Sequence, residues 1–173
     1  MAGTIVEQLE VKADAAWANL TRQLQGMESH LDRADSQGEW TAREVLAHLL
    51  FEPGRSPIGF LKSFSLRDLP LAEVTPGKVA MTEERRGMTL RQFLEALDAQ
   101  RKGIFAYLAT VSEADLQGRK ARIPLFRQRL GTDEVPLHVF VEGIFNYHWN
   151  DHVGQLAKIR KAAGLPEAVQ QAS

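Results

Sequence analysis

From Val6 to Leu31 apolar side chains recur in steps of three and four: Val6, Leu9, Ala13, Trp17, Leu20, Leu24, Met27 and Leu31. That spacing fits 3.6 residues per turn and predicts one helix from about Thr4 to about Arg33 with a single continuous apolar face. A face of that length has to be covered by other helices. The opposite side carries Glu7, Glu10, Lys12, Arg22 and Gln25, as expected of a bundle helix with one side in water. His30 lies beside the stripe and reads as a surface histidine of the last turn, favourable to the helix dipole when protonated.

The same grammar recurs downstream. Thr41 has the properties of an N-cap, Glu44 three residues on completes a capping box, and Trp40 can staple onto Val45; this second helix ends at Pro53-Gly54. Ser56-Pro57 opens a short apolar helix through Ile58, Phe60, Leu61 and Phe64. Residues Arg67 to Met88 show no period and contain Pro70, Pro76, Gly77 and Gly87, so they read as a long loop, either a lid or a mobile connection. Thr89 and Gln92 form another capping box, with Met88 stapled to Phe93, and start a third long helix carrying Leu90, Phe93, Leu94, Leu97, Ile104, Leu108 and Val111. One more turn, Ser112 to Leu116, stops at Gly118. A second irregular stretch, Arg119 to Asp133, holds Ile123, Leu125 and Phe126 around Pro124. The last helix opens near Glu134 to Pro136 and ends at Gly164, before Pro166. Four long amphipathic helices without a convincing strand predict an all-α, antiparallel four-helix bundle with an extra short helix and two long loops. The 173 residues suffice for one domain, 1–173, with a C-terminal tail from about 165 to 173.

Composition excludes several functions. The net charge of −1, with acids and bases interleaved, gives no nucleic-acid footprint and no membrane-binding face. The basic cluster of Arg119, Lys120, Arg122, Arg127 and Arg129 reads as a solvated loop, with an anion contact as its sharper alternative. With no cysteine, disulfides, cysteine-ligated zinc and a cysteine nucleophile are all ruled out, so any thiol chemistry needs an external thiol. The first residues lack the basic-then-apolar pattern of a leader, and no apolar run is long enough to span a bilayer, so a cytoplasmic location is expected.

The last helix contains the main anomaly. Its apolar stripe runs through Leu137, Val141 and Ile144 or Phe145, then resumes at Leu156, Ile159 and Ala163; the gap between falls on His148 and His152. Histidines four apart lie about 40° apart around a helix and about 6 Å along it, so both can hold one metal ion. The plainer alternative is a pair of hydrogen-bonded, inert helix histidines. His48 sits inside the second helix, with Glu44 and Glu52 four residues to either side, which either orient it or form surface ion pairs. His138, about 80° around from His148, reads as a core-edge or capping residue.

Gly38-Glu39-Trp40-Thr41-Ala42-Arg43-Glu44-Val45-Leu46-Ala47-His48-Leu49, together with His148-Trp149-Asn150-Asp151-His152-Val153-Gly154-Gln155-Leu156, resembles the DinB-like (DinB/YfiT-like) superfamily of metalloenzymes. In that family a helix introduced by a tryptophan carries one ligand histidine, and an H-x-x-x-H in the last helix supplies two more. The resemblance therefore implies a divalent metal, zinc or nickel first and manganese or iron next, on His48, His148 and His152. Three imidazoles leave a coordination position open for water or substrate, which is the arrangement of catalytic sites. Asp151 and Glu44 are the candidate orienting carboxylates or general bases, against the plainer reading of exposed helix acids. Gln155 can orient a ligand or lie at the helix edge, and Tyr147 and Trp149 read as packing residues.

Members of the family include metal-dependent hydrolases and isomerases or transferases that use a low-molecular-weight thiol such as mycothiol or bacillithiol. The expectation is a divalent-metal-dependent enzyme of hydrolase or thiol-dependent transferase or isomerase type, acting on a small molecule and pairing as a homodimer. The alternative is a non-catalytic metal-binding bundle serving in a stress response, in dimerisation or in partner binding.

Overall fold

The computed structural model describes residues 3–169; positions 170–173 of the expected tail lie outside the described residues. Helix α1 spans Ile5–Leu24 and starts in a capping box, with Glu7 N–H donating to Thr4 Oγ1 (3.2 Å) and Thr4 N–H to Glu7 Oε2 (2.6 Å). It stops nine residues earlier than the apolar stripe predicts, because Gly26 turns the backbone to φ +73°. Met27 and Leu31 are nevertheless buried, carried inward by a 3₁₀ turn at Glu28–His30. The spacing located the buried residues correctly past the point where the helix ends. Arg160, itself buried, closes this end by donating to the carbonyls of Gln23 (3.0 Å) and Gln25, and also to that of Pro166.

Helix α2, Ala42–Leu49, has the predicted Thr41–Glu44 capping box. It is shorter than the sequence suggests, with Leu50 already extended. Two side chains from elsewhere satisfy the groups freed there. The Gln100 amide accepts from Phe51 N–H (2.9 Å) and donates to Leu49 O (3.1 Å). Arg85 donates to the carbonyls of Ala47 (3.0 Å), Phe51 and Ala80 (3.0 Å). Arg85 is 9% exposed and has no carboxylate partner among the described residues, so its buried charge is solvated by backbone carbonyls alone. Burial pushes its pKa down, although a guanidinium stays charged throughout the accessible range.

Helix α3 (Pro57–Lys62) is capped by Ser56 as expected. The aperiodic stretch that follows contains helix α4, Glu83–Gly87, capped by Thr82; five residues are too few to register as a period. Helix α5 (Leu90–Leu108) starts in the Thr89–Gln92 box, and α6 (Glu113–Gly118) on Ser112. The stretch read as strandless holds a small sheet. Strand β1 (Lys120–Arg122) pairs antiparallel with β2 (Glu134–Pro136) in the register Lys120↔Pro136, Ala121↔Val135, Arg122↔Glu134, on either side of helix α7 (Arg127–Leu130). Three-residue strands are shorter than any alternation a sequence can display, and they move the start of the last helix to Leu137. Isolated bridges Ser65↔Lys120 and Leu71↔Arg122 fasten the chain after α3 to β1.

The last helix, α8, runs without interruption through Leu137–Glu142, a π-helical stretch Gly143–Trp149, and Asn150–Ala162. It ends at Ala162, two residues before Gly164 at φ +75°. Helix α1 packs along α8 and against α5, while α2 packs on α8 and α5, giving a four-helix bundle. Its centre is fully buried and includes Leu20, Leu46, Phe93, Leu97, Ile104 and Trp149. Among the described residues no helix is long and apolar enough to cross a membrane.

Replacing Arg85 with methionine keeps much of the side-chain volume but leaves three carbonyls without their donor. Urea unfolding should show a loss of about 2–3 kcal/mol; an unchanged midpoint would mean that water replaces the guanidinium at no cost.

Candidate metal centre

The last turn of α2 and the middle of α8 bring three histidines together. His48 from α2 meets His148 and His152 from α8, and one donor atom of each lies within 4.8 Å of the others. The three rings stand at equal centroid separations of 4.8 Å and are steeply inclined to one another, at 77°, 67° and 89°. Nitrogens thus converge from three directions, and the set can hold a metal ion.

Hydrogen bonds fix which nitrogens are free. His48 Nδ1 lies 2.7 Å from the carbonyl of Lys78 and His152 Nδ1 lies 2.8 Å from Gln155 Oε1. A carbonyl oxygen only accepts, so His48 Nδ1 carries the proton, and the amide oxygen of Gln155 imposes the same tautomer on His152. In both rings Nε2 is left as the lone-pair nitrogen, as in a metal-ligating histidine whose other nitrogen is anchored. His48 Nε2 is only 2.8 Å from His148 Nε2. Two lone pairs at that distance repel unless a cation or a shared proton compensates them, so the donor set fits a divalent ion.

The electrostatics point the same way. Burial, and then repulsion from His152 and His48, lowers the pKa of His148 from 6.5 to about 3. Burial also lowers that of His152, and the proximity of His48 adds to this against the opposing effects of Gln155 and Asp151. His148 therefore stays neutral and ligand-competent well below pH 6.5, and His152 is shifted in the same direction.

Trp40, immediately before the cap of α2, packs against the cluster. Its ring lies 4.9 Å from that of His48 and is stacked at 8° on that of His152, 6.0 Å away. Glu44 takes the capping role: its Oε2 accepts from Thr41 N–H (2.8 Å) and Thr41 Oγ1–H (3.1 Å), and the residue does not line the cavity beside the histidines. Asp151 does line it, and is exposed. Trp149 is fully buried against Phe145 and Trp17. Tyr147, which the sequence suggested was a packing residue, is 39% exposed and lines the cavity. The π-helical stretch accounts for this division, because its wider turn shifts the helical phase just before the second ligand position. His138 donates from Nδ1 to Leu116 O (3.0 Å) and His30 sits in the 3₁₀ turn, both away from the cluster.

The cavity has a volume of about 570 Å³, within the range that takes small molecules. Phe51, Phe60, Phe126, Phe140 and Ile144 give it apolar walls. One side is the stretch Glu73–Lys78, which belongs to the aperiodic segment 67–88. That side is tied down twice through Lys78, whose carbonyl meets His48 and whose Nζ lies 3.3 Å from Glu52. Two residues on, Ala80 is held at φ +52°, a left-handed conformation that costs a non-glycine residue about 1 kcal/mol or more. None of these backbone contacts could be read from residue spacing.

Between pH 6.5 and about 3 the unfolded chain binds a proton at His148 that the folded chain does not. Stability of chelator-treated protein should therefore be complete above pH 6.5 and decline as the pH falls below it. His148→Leu should flatten that decline. Urea midpoints at pH 7.5 and 5.0 test this, and equal midpoints for the wild type at the two pH values would refute it.

No protein-family model matches the sequence, and no curated protein matches it. Among solved structures, the chain is similar to YfiT from Bacillus subtilis, a probable metal-dependent hydrolase with an unusual four-helix bundle topology. The two are 18% identical, the match covers 92% of this chain and 90% of the other, and the TM-score is 0.66. At that identity the likeness concerns architecture, and this chain has a four-helix-bundle fold like that of YfiT.

Proposed function

We propose that this protein is a divalent-metal-dependent enzyme acting on a small molecule, of hydrolase type first and thiol-dependent transferase or isomerase type second. One observation carries the reading: two of three converging imidazoles are anchored through Nδ1, leaving Nε2 as the free base beside a 570 Å³ cavity. His48, His148 and His152 would hold the ion, with zinc or nickel suited to three imidazoles. When bound, such an ion polarises a substrate carbonyl or lowers the pKa of a water or thiol. A purely structural ion would need its remaining position closed, whereas these histidines line an open cavity. The YfiT comparison supports the hydrolytic option, since that protein is described as a probable metal-dependent hydrolase.

The chain's own residues supply the rest. The Lys78 carbonyl and Gln155 hold two ligand rings in one tautomer, and Trp40 limits their rotation. The phenylalanine walls exclude water from an apolar substrate body. Asp151, which lines the cavity and has no cationic partner within salt-bridge distance among the described residues, would take a proton from the attacking nucleophile.

Elemental analysis of untagged protein should give about one divalent ion per chain, lost in His148→Ala. Absence of metal in the wild type, even after reconstitution, would sink the reading. With 4-nitrophenyl esters as probes, Asp151→Asn should retain the metal while turnover falls about 100-fold or more. Unchanged turnover would remove Asp151 from the chemistry.

A further inference from the structure

The basic cluster noted in the sequence separates, once folded, into paired cations and one that is not. Arg119 pairs with Asp115 (2.6 Å), and Arg122 and Arg127 with the buried Asp133 (3.2 and 2.8 Å). Lys120 lies 3.9 Å from Glu134. Arg129 has no carboxylate partner among the described residues. Its guanidinium instead lies 3.9 Å from the centroid of Tyr147, and both residues line the cavity beside the histidines. The other cations of that cavity are engaged: Lys78 with Glu52 (3.3 Å), and Arg55 with the carbonyl of Glu73 (3.3 Å) and over Phe60.

The position of Arg129 is built into the fold. Phe126, at the foot of α7, rests against Gly143 so closely that a Cβ there would stand 2.9 Å from its Cζ. That contact sets α7 against the π-helical stretch that carries Tyr147. A guanidinium laid on an aromatic face keeps its edge donors free for a planar anion.

We infer that Arg129 is an anion-binding residue of this cavity, and that the molecule it takes has an apolar body and a terminal carboxylate. The body lies among Phe51, Phe60 and Phe140 and the carboxylate meets the Arg129 fork. The inference rests on the proposed enzymatic use of the same cavity but does not need the metal.

Calorimetric titration with 4-phenylbutyrate and its neutral counterpart 4-phenylbutanamide tests it, on zinc-loaded and on chelator-treated protein. Wild type should bind the acid about tenfold or more tightly than the amide in both forms. Arg129→Gln should abolish that preference while leaving amide affinity within about twofold, and Arg129→Lys should restore part of it. Arg127→Gln, the same charge change on the same helix, should leave the preference intact. Equal affinity for acid and amide in the wild type, no binding of either, or a preference surviving in Arg129→Gln would overturn the inference. A preference that survives Arg129→Gln but vanishes with the chelator would place the carboxylate at the metal, refuting the role of Arg129 while sparing the metal site. An Arg129-dependent preference in protein that takes up no metal would support the anion subsite and leave the metal reading to fail alone.

Discussion

Three imidazoles held within 4.8 Å of one another impose a strict electrostatic condition: they cannot all be charged, and Nε2 of His48 and Nε2 of His148 lie only 2.8 Å apart. The surrounding structure meets that condition. Burial keeps His148 and His152 neutral, and oxygen acceptors from a loop backbone and from Gln155 place the protons of His48 and His152 on Nδ1. Trp40 packs against two of the rings. Burial thus disfavours the protonated form of His148 and His152, while the oxygen acceptors select the tautomer that leaves Nε2 available.

Holding His48 in place also explains why so many buried donors gather at the end of α2. The helix is only eight residues long and could not stand alone. Its first turn is closed by Thr41 and Glu44, its last by Gln100 and by Arg85, which reaches carbonyls on both α2 and the neighbouring loop. The loop in turn offers its Lys78 carbonyl to His48. Helix end, loop and ligand histidine are thus one hydrogen-bonded unit, and the left-handed Ala80 sits at its centre. Arg160 does the corresponding work at the end of α1, where it satisfies carbonyls that Gly26 leaves exposed.

The cavity combines features that separately would mean little. Phenylalanine walls occur in many cores, and exposed arginines on many surfaces. Here apolar walls, an uncommitted guanidinium and a neutral three-nitrogen cluster border one space of about 570 Å³. That combination favours a ligand with an apolar body, an anionic end and a bond presented to the histidines over a merely structural ion.

Much of this was legible in the residues. Capping boxes at Thr41 and Thr89, the stripe from Val6 to Leu31, and the helix end just before Gly164 depend on local spacing, and local spacing is what a sequence displays. The candidate trio His48, His148 and His152 came from two short blocks and a family resemblance, and the fold brings these three side chains together. The true end of α1, helix α4 and the paired strands were not legible, because each is a short element or a turn fixed by a single φ angle. Nor were the acceptor at Lys78, the burial of Arg85, the separation of Arg129 from its paired neighbours, or the placing of Tyr147 in the cavity. Those depend on backbone carbonyls, on a π-helical shift of phase and on partners as far as 38 residues apart, none of which leaves a periodic trace. Residue spacing therefore settled which side chains could form helices and a site, and the packed chain alone decided which of their atoms are free to act.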